Sequence, residues 1–320
     1  MKRRAAKSMK HLQPIQDHTS RIKPSDRLLM TMGRDENTRI PYFLDYYRKL
    51  GIDHFLFVDN LSDPPMTEVL LGQPDVSLWR TEESYTDTRY GVDWMNALLS
   101  RYAVGHWTLT VDLDEFFVYP FMETRSYDDL ILFLEDLEKP SMFTTLVDMY
   151  PEDSICSAHV PVGESPLDHA PFFDRTGYYQ VHGGYEDTYV RGGPRLRAFN
   201  ANDINAAPAL NKTPLIKWSA RYAYYLSTHV AYPVFLNHAH RNFHEPTGAL
   251  LHFKFISSFR EKIEQAISLQ NHYNGSQEYQ KYFKHLEESE KYTLHGGIST
   301  RYEGSHSLIE TNLMTAGCWK

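Results

Sequence analysis

Three acids fall within four positions of the stretch 108–120, TLTVDLDEFFVYP: Asp112, Asp114 and Glu115. They lie between Thr108, Leu109, Thr110 and Val111, residues that favour a pleated, half-buried surface, and the apolar Phe116, Phe117 and Val118. Carboxylates this close repel one another unless a positive charge lies among them. Residues two apart on a strand share a face, so Asp112 and Asp114 are expected to point together off the strand's end. Two hard oxygen ligands there suit Mg²⁺ or Mn²⁺, which take one or two carboxylates and complete their shell with water and substrate phosphate. The competing reading of an Asp-X-Asp triplet is a solvated loop. Its place at the end of a strand, inside apolar sequence, favours the metal.

Such acids need a scaffold, and the chain supplies one from Asp26 onward. RLLMTMG reads as a short strand ending at Gly33. ENTRIPYFLDYYRKLG reads as a helix, with Ile40, Phe43, Leu44, Tyr47 and Leu50 at helical spacing and Gly51 where a C-terminal cap belongs. HFLFVDN is a near-continuous apolar run of the kind buried in parallel sheets. SDPPMTEVLLG gives a turn and a short helix, DVSLWR a third strand, TRYGVDWMNALLSRYAVG a second long helix and TLTVDLDEF the fourth strand. This alternation implies an α/β fold with an open, mostly parallel sheet, which binds ligands beyond the carboxyl ends of its strands. Those ends carry Gly33-Arg34, Asp59-Asn60 and Asp112-Leu113-Asp114, which are therefore expected in one crevice. Farther on, SYDDLILFLEDLEK is an amphipathic helix and MFTTLVDMYPED contains a strand. Residues 157–210 read as loops with short strands, and ALLHFKFISSFREKIEQAISLQNHY as a strand that becomes a helix.

Composition narrows the function. The chain has 320 residues, 42% of them hydrophobic, enough for a substantial core, and a formal net charge of -8 that disfavours a nucleic-acid binder. Its two cysteines, Cys156 and Cys318, offer neither a disulfide framework nor a thiolate zinc site and suit a reducing compartment. No stretch approaches the ~20 apolar residues that span a bilayer. The opening MKRRAAKSMK has no apolar run behind it and is no secretory signal. A cytoplasmic location is expected. Residues 1–24 read as a polar, basic, disordered leader, whose Lys2, Arg3, Arg4, Lys7 and Lys10 offer a peripheral contact with the inner face of a membrane.

TMGRDENTRIPYFLDYYRKLGIDHFLFVDNLSD resembles the opening of family 2-type glycosyltransferases, and VDLDEF resembles their Asp-X-Asp metal motif. GGPRLRAF, NKTPLIKW and GALLHFKF are similar to a bacterial subgroup related to family 92, often linked to cell-surface polysaccharide. The resemblance covers roughly residues 26–260. GRDEN stands where the family more often has Arg-Asn-Glu, and LSDPP where Ser-X-Asp-Gly is usual; both departures touch the nucleotide pocket. The resemblance implies a GT-A-like fold: a transferase domain over 25–260, with a nucleotide-sugar half (25–120) and a loop-rich acceptor half (121–260), and a C-terminal helix and tail (261–320) packed on it. It also implies hexosyl transfer from a nucleotide-diphosphate sugar, UDP-linked by preference, to a saccharide or lipid-linked acceptor, dependent on Mn²⁺ or Mg²⁺.

Within that expectation the residues take roles. Asp114 binds the metal directly, Asp112 faces metal and ribose, and His252 in LLHFKF is the third ligand. Arg34, Glu36, Asp59 and Asn60 line the base and ribose. The diphosphate leaving group gains charge in the transition state, so fixed cations there lower the barrier. Arg191, Arg195, Arg197, Lys212 and Lys217 gather within thirty residues, and Lys254 lies two from His252. An inverting enzyme also needs a carboxylate base; Asp187, with Glu186 beside it, is favoured and Asp148 is the rival. His229, His238, His240 and His244 form a loose cluster expected to be structural or to line an acceptor cleft. The alternatives are a sugar nucleotidyltransferase, which would usually carry a Gly-rich basic loop after the first strand, and a non-catalytic saccharide-binding protein of the same fold.

Overall fold

The computed structural model describes residues 1–155, 157–182, 188–200, 203–237, 244–256, 259, 263, 280–283 and 292–319. In chain order the elements are α1 (Lys2–Ser8), β1 (Gln13–Gln16), β2 (Leu28–Gly33), α2 (Ile40–Leu50), β3 (His54–Asp59), α3 (Thr67–Leu70), β4 (Val76–Arg80), α4 (Val92–Tyr102), β5 (Trp107–Thr110), β6 (Glu115–Val118), α5 (Tyr127–Asp136) and β7 (Ser141–Asp148). There follow β8 (Phe172–Asp174), β9 (Tyr178–His182), β10 (Thr188–Gly192), a π-helical turn (Arg195–Phe199), β11 (Asn211–Lys217), β12 (Ala223–Leu226), β13 (Val230–Tyr232), β14 (Gly248–His252), β15 (Ser299–Arg301) and α6 (Ser305–Glu310).

Nine strands form one sheet in the order β1-β4-β3-β2-β5-β11-β7-β14-β6. β2, β3, β4, β5, β7 and β14 run one way, and β1, β6 and β11 run against them. The molecule is thus mixed α/β with a large, mostly parallel central sheet. Both faces are covered, which is why β3 reads as an unbroken apolar run. Phe55 and Phe57 enter the core under α2, while Leu56 and Val58 enter the one under α4. The glycine signal for α2 holds: Gly51 caps it at φ 112°, a left-handed conformation that suits glycine. The structure adds a reciprocal capping box, Ser126 with Asp129, at the start of α5.

Two expectations fail. TLTVDLDEF is not one strand: β5 ends at Thr110, and the chain leaves the sheet and re-enters at the far edge as β6. Three strands, β11, β7 and β14, lie between the two halves. Nor are residues 1–24 a disordered leader. α1 packs its Ala5 and Ser8 inward, Arg4 Nε meets Asp93 of α4 at 2.8 Å, and β1 pairs antiparallel with β4, Gln13 opposite Arg80. The segment covers what would otherwise be an open sheet edge and the flank of α4. Among the described residues no helix is long and apolar enough to cross a membrane.

Leu12, only 4% exposed, sits in the α4-side core. Leu12→Ala is therefore expected to cost about 2–3 kcal/mol in urea unfolding, whereas the same change in a solvated leader would leave the midpoint where it was.

Candidate metal centre

The carboxyl ends of the parallel strands and the amino ends of antiparallel β6 and β11 meet at the same rim of the sheet. Asp148 ends β7 and His252 ends β14, while Glu115 begins β6 and Lys212 is the second residue of β11. Register makes a row of three of them: Glu115 lies opposite His252, which lies opposite Asp148. The turn 111–114 crosses this rim. Its Leu113 is buried against Gly33, where a Cβ would sit only 2.7 Å from the leucine Cδ1. With Leu113 turned inward and the backbone no longer extended, Asp112 and Asp114 diverge instead of pointing together.

Asp112 goes to Lys212. The ammonium, whose side chain is 3% exposed, lies 3.0 Å from Asp112 Oδ2 and also contacts Glu115 Oε1. Glu115 Oε2 accepts from the Asp112 backbone N–H at 3.2 Å. Burial and Asp112 push the Glu115 carboxyl up to about 7, against the pull of Lys212. Burial alone would lower the Lys212 pKa; Asp112 and Glu115 outweigh it and raise it. The positive charge that the three acids require is therefore already in the chain.

Asp114 goes the other way. Its Oδ2 lies 3.4 Å from His252 Nε2, and His252 Nδ1 lies 2.7 Å from Asp148 Oδ1. Asp148 Oδ2 accepts from Arg195 Nε at 2.7 Å. Burial would raise the Asp148 pKa, but Arg195 and His252 hold it down at about 2. Burial would lower that of His252, but Asp114 and Asp148 raise it. Arg195 stands on the π-helical turn, which follows Gly192 and Gly193. Gly192 has φ 151° and passes so close to the Gly177 carbonyl that a Cβ would collide with it.

Among the described residues, one group of three can hold a metal ion: Asp114, Glu115 and His252, whose ligand atoms lie within 4.8 Å of one another. The donor set fits a divalent cation. Asp148 fixes the ring through Nδ1–H, the arrangement that presents Nε2 to a metal, and Nε2 faces Asp114. Asp112 falls outside the group and Glu115 enters it, although Glu115 is also held by Lys212.

The other expected donor-site residues are placed as follows. Arg34, just beyond β2, has a 42% exposed side chain and lies 3.5 Å from Asp35. Glu36 pairs with Arg39 at 2.8 Å, and Arg39 Nη1 donates to the Phe253 carbonyl. Asp59 is 1% exposed, and its oxygens accept the backbone N–H groups of Ser62 and Met66. Asn60 donates to the Thr81 and Glu83 carbonyls. Asp59 and Asn60 thus shape the loop after β3. Arg191 donates to carbonyls at 204, 205 and 207. Arg197 forks onto buried Asp174. Lys254 lies over the Tyr282 ring at 4.9 Å.

Lys217 is the clear misplacement. It ends β11, pairs with Glu135 and lies opposite Trp107, the first residue of β5. An antiparallel strand carries its two ends to opposite rims, so five residues beyond Lys212 put Lys217 roughly 16 Å away, at the wrong end of the sheet. Asp148 is also unsuited to be the base: a carboxylate held at about 2 and shared by Arg195 and His252 orients the ring instead of taking protons near neutrality. Glu186 and Asp187 lie outside the described residues, as do His238 and His240. His229 contacts the Asn211 carbonyl through Nδ1 at 2.7 Å, and burial with Lys212 nearby lowers its pKa to about 4. His244 Nδ1 lies 3.2 Å from Cys318 Sγ.

Two outcomes check this electrostatic arrangement. Lys212→Met is expected to destabilise the protein by about 3 kcal/mol at pH 8, where the ionised Glu115 of the wild type loses its cation, and by less at pH 6, where Glu115 is already largely protonated; adding Glu115→Gln should restore much of the loss. Asp148 has a folded pKa of about 2, below the ordinary 3.8. Its ionised form therefore contributes about 2 kcal/mol above pH ~4, and the contribution is lost as pH falls through about 2. Thermal unfolding between pH 5 and 2 should show this slope, and Asp148→Asn should flatten it.

No protein-family model matches the chain, and no curated protein matches it.

Proposed function

We propose that the chain is a metal-dependent glycosyltransferase of the GT-A type, moving a sugar from a nucleotide-diphosphate donor, UDP-linked by preference, to a saccharide or lipid-linked acceptor in surface polysaccharide synthesis. The carrying observation is the row Glu115–His252–Asp148 with Asp114 beside it, at the carboxyl rim of a mostly parallel sheet. That rim is where open α/β sheets bind nucleotides. TMGRDEN, VDNLSD and VDLDEF, three of the stretches that resemble glycosyltransferase motifs, lie where β2, β3 and β5 reach that rim.

In this reading Asp114 and His252 hold a Mn²⁺ or Mg²⁺ ion, with Asp148 and Arg195 fixing the imidazole behind it. When bound, the ion supplies positive charge against the diphosphate leaving group. Asp112, with a 46% exposed side chain, remains open to the donor while Lys212 holds one of its oxygens. Arg34, on the loop after β2, is an exposed cation at the nucleotide half of the rim. Beyond β7, a polar cleft of about 390 Å³ is lined by Glu152, Asp153, His159, Asp168, His169 and Arg301 among others. Its mix of acceptors and donors supports a hydroxyl-rich acceptor. Transfer with inversion needs a carboxylate base; Glu186 and Asp187, which lie outside the described residues, are the candidates.

Calorimetric titration of UDP, then GDP, into the protein with Mn²⁺ and with EDTA tests this reading. Metal-dependent binding of one nucleotide is expected. Asp114→Ala should weaken it about tenfold or more while unfolding stays cooperative. Binding should also weaken from pH 8 to pH 6, because a proton on His252 competes with the ion. Full affinity in Asp114→Ala, or binding indifferent to EDTA, would sink the metal reading.

A further inference from the structure

We infer that the face built by α1 and the β12–β13 hairpin is a docking surface for an anionic lipid bilayer. The inference stands independently of the transferase reading.

The two parts are fastened to one helix. The Asp93 carboxylate, near the start of α4, takes Arg4 of α1 on one oxygen at 2.8 Å and Arg89 Nε on the other at 3.1 Å. Arg89 Nη1 then reaches the Tyr225 carbonyl of β12 at 3.4 Å. Asn96 of α4 holds the same strand twice, donating to the Tyr224 carbonyl at 2.9 Å and accepting its N–H at 2.8 Å. Asp93 is 1% exposed, so the acid that joins the two parts is withdrawn from the surface.

The outward sides carry complementary chemistry. α1 and the turn after it turn Ala5 and Ser8 inward and leave Lys2, Arg3, Lys7 and Lys10 exposed. On the hairpin and the turn that follows it, Tyr224 and Ala231 are buried, whereas Tyr225 is 48% exposed, Leu226 39%, Tyr232 52% and Phe235 52%. Four large apolar side chains within eleven residues are more than scattered exposure, and a solvated surface has no use for them. Basic residues draw a protein to anionic headgroups, and tyrosine and phenylalanine seat at the level where headgroup meets acyl chain. Either signal alone gives weak, reversible attachment, and stable attachment takes two. The overall charge of -8 adds orientation. An anionic bilayer repels most of this molecule, so approach is favoured only with the basic face forward.

Co-sedimentation of the full chain with phosphatidylcholine vesicles, with and without about one third phosphatidylglycerol, tests the surface. The wild type should bind only the anionic vesicles, and binding should weaken as salt rises above about 0.1 M. Lys2→Glu/Arg3→Glu/Lys7→Glu/Lys10→Glu should lose at least about tenfold in affinity, as should Tyr232→Ser/Phe235→Ser. Both variants spare Arg4, Asp93 and Asn96, and circular dichroism melts check that they fold. Should the charge reversal unfold α1, the milder Lys2→Gln/Lys7→Gln takes its place and should lose a smaller but measurable share. Wild-type protein that leaves anionic vesicles in the supernatant would overturn the inference. So would equal binding of neutral vesicles, equal binding by the folded variants, or retention on a soluble polyanion with none on vesicles.

Discussion

The buried ammonium of Lys212 is the contact on which the rim of the sheet depends. Three carboxylates within four positions, two of them turned toward the same strand ends, would drive that rim apart. Lys212 lies against Asp112 and Glu115 at once, with almost no solvent to share the load. Exposed pairs are worth little, but a buried ion whose partner is lost keeps its desolvation cost without the attraction that offset it. The direction of β11 follows from the same requirement. A lysine on the second residue of a strand reaches the carboxyl rim of a parallel sheet only if that strand runs against its neighbours, as β11 runs against β5 and β7. One antiparallel strand in the middle of the sheet thus provides a counter-charge that no parallel strand could deliver from its own beginning.

The same economy of position governs the imidazole. His252, Asp148 and Glu115 need no loop to bring them together, because they are neighbours in the ladders of β6, β14 and β7. The carboxylate behind the ring is itself held by Arg195, whose turn requires the two glycines before it. A site whose orienting groups sit on strands has less freedom to drift than one built from loops.

Much of this was legible in the residues, and what was not legible is instructive. The βα series from β2 through α4 is plain in the sequence because each element declares itself within a dozen residues: helical spacing and a terminal glycine in α2, an unbroken apolar run in β3. The break between β5 and β6 was not plain. Apolar character resumes on both sides of the acids, and only the three strands inserted between them reveal that one apparent strand is two. Lys212 and Lys217 looked alike for a related reason: proximity along the chain says nothing about which rim a strand end reaches. Asp59 stood correctly at the end of its strand, yet its carboxylate is consumed by the two N–H groups of its own loop. Glu115 reads in the sequence as a source of repulsion, but its register partner His252 lies far along the chain. The amino-terminal segment reads as a tail by composition, and it folds because the flank of α4 and the edge of β4 have surface to offer.

The residues that meet at the rim are far apart along the chain: Lys212 lies 100 positions from Asp112, and His252 lies 104 from Asp148. Each such closure costs chain entropy before any attraction is gained, and sheets dominated by distant pairings assemble slowly. The centre therefore has no early form. Until β11 and β14 are both seated, the acids of the turn face water without Lys212 or His252, and a chain part-way to the native state can hold neither the charge balance nor the ligand set. A slip of one residue in β14 would be no smaller an error. It would turn His252 to the opposite face of the sheet and bring a phenylalanine or a leucine to the rim, so correct register and a complete ligand set are the same event.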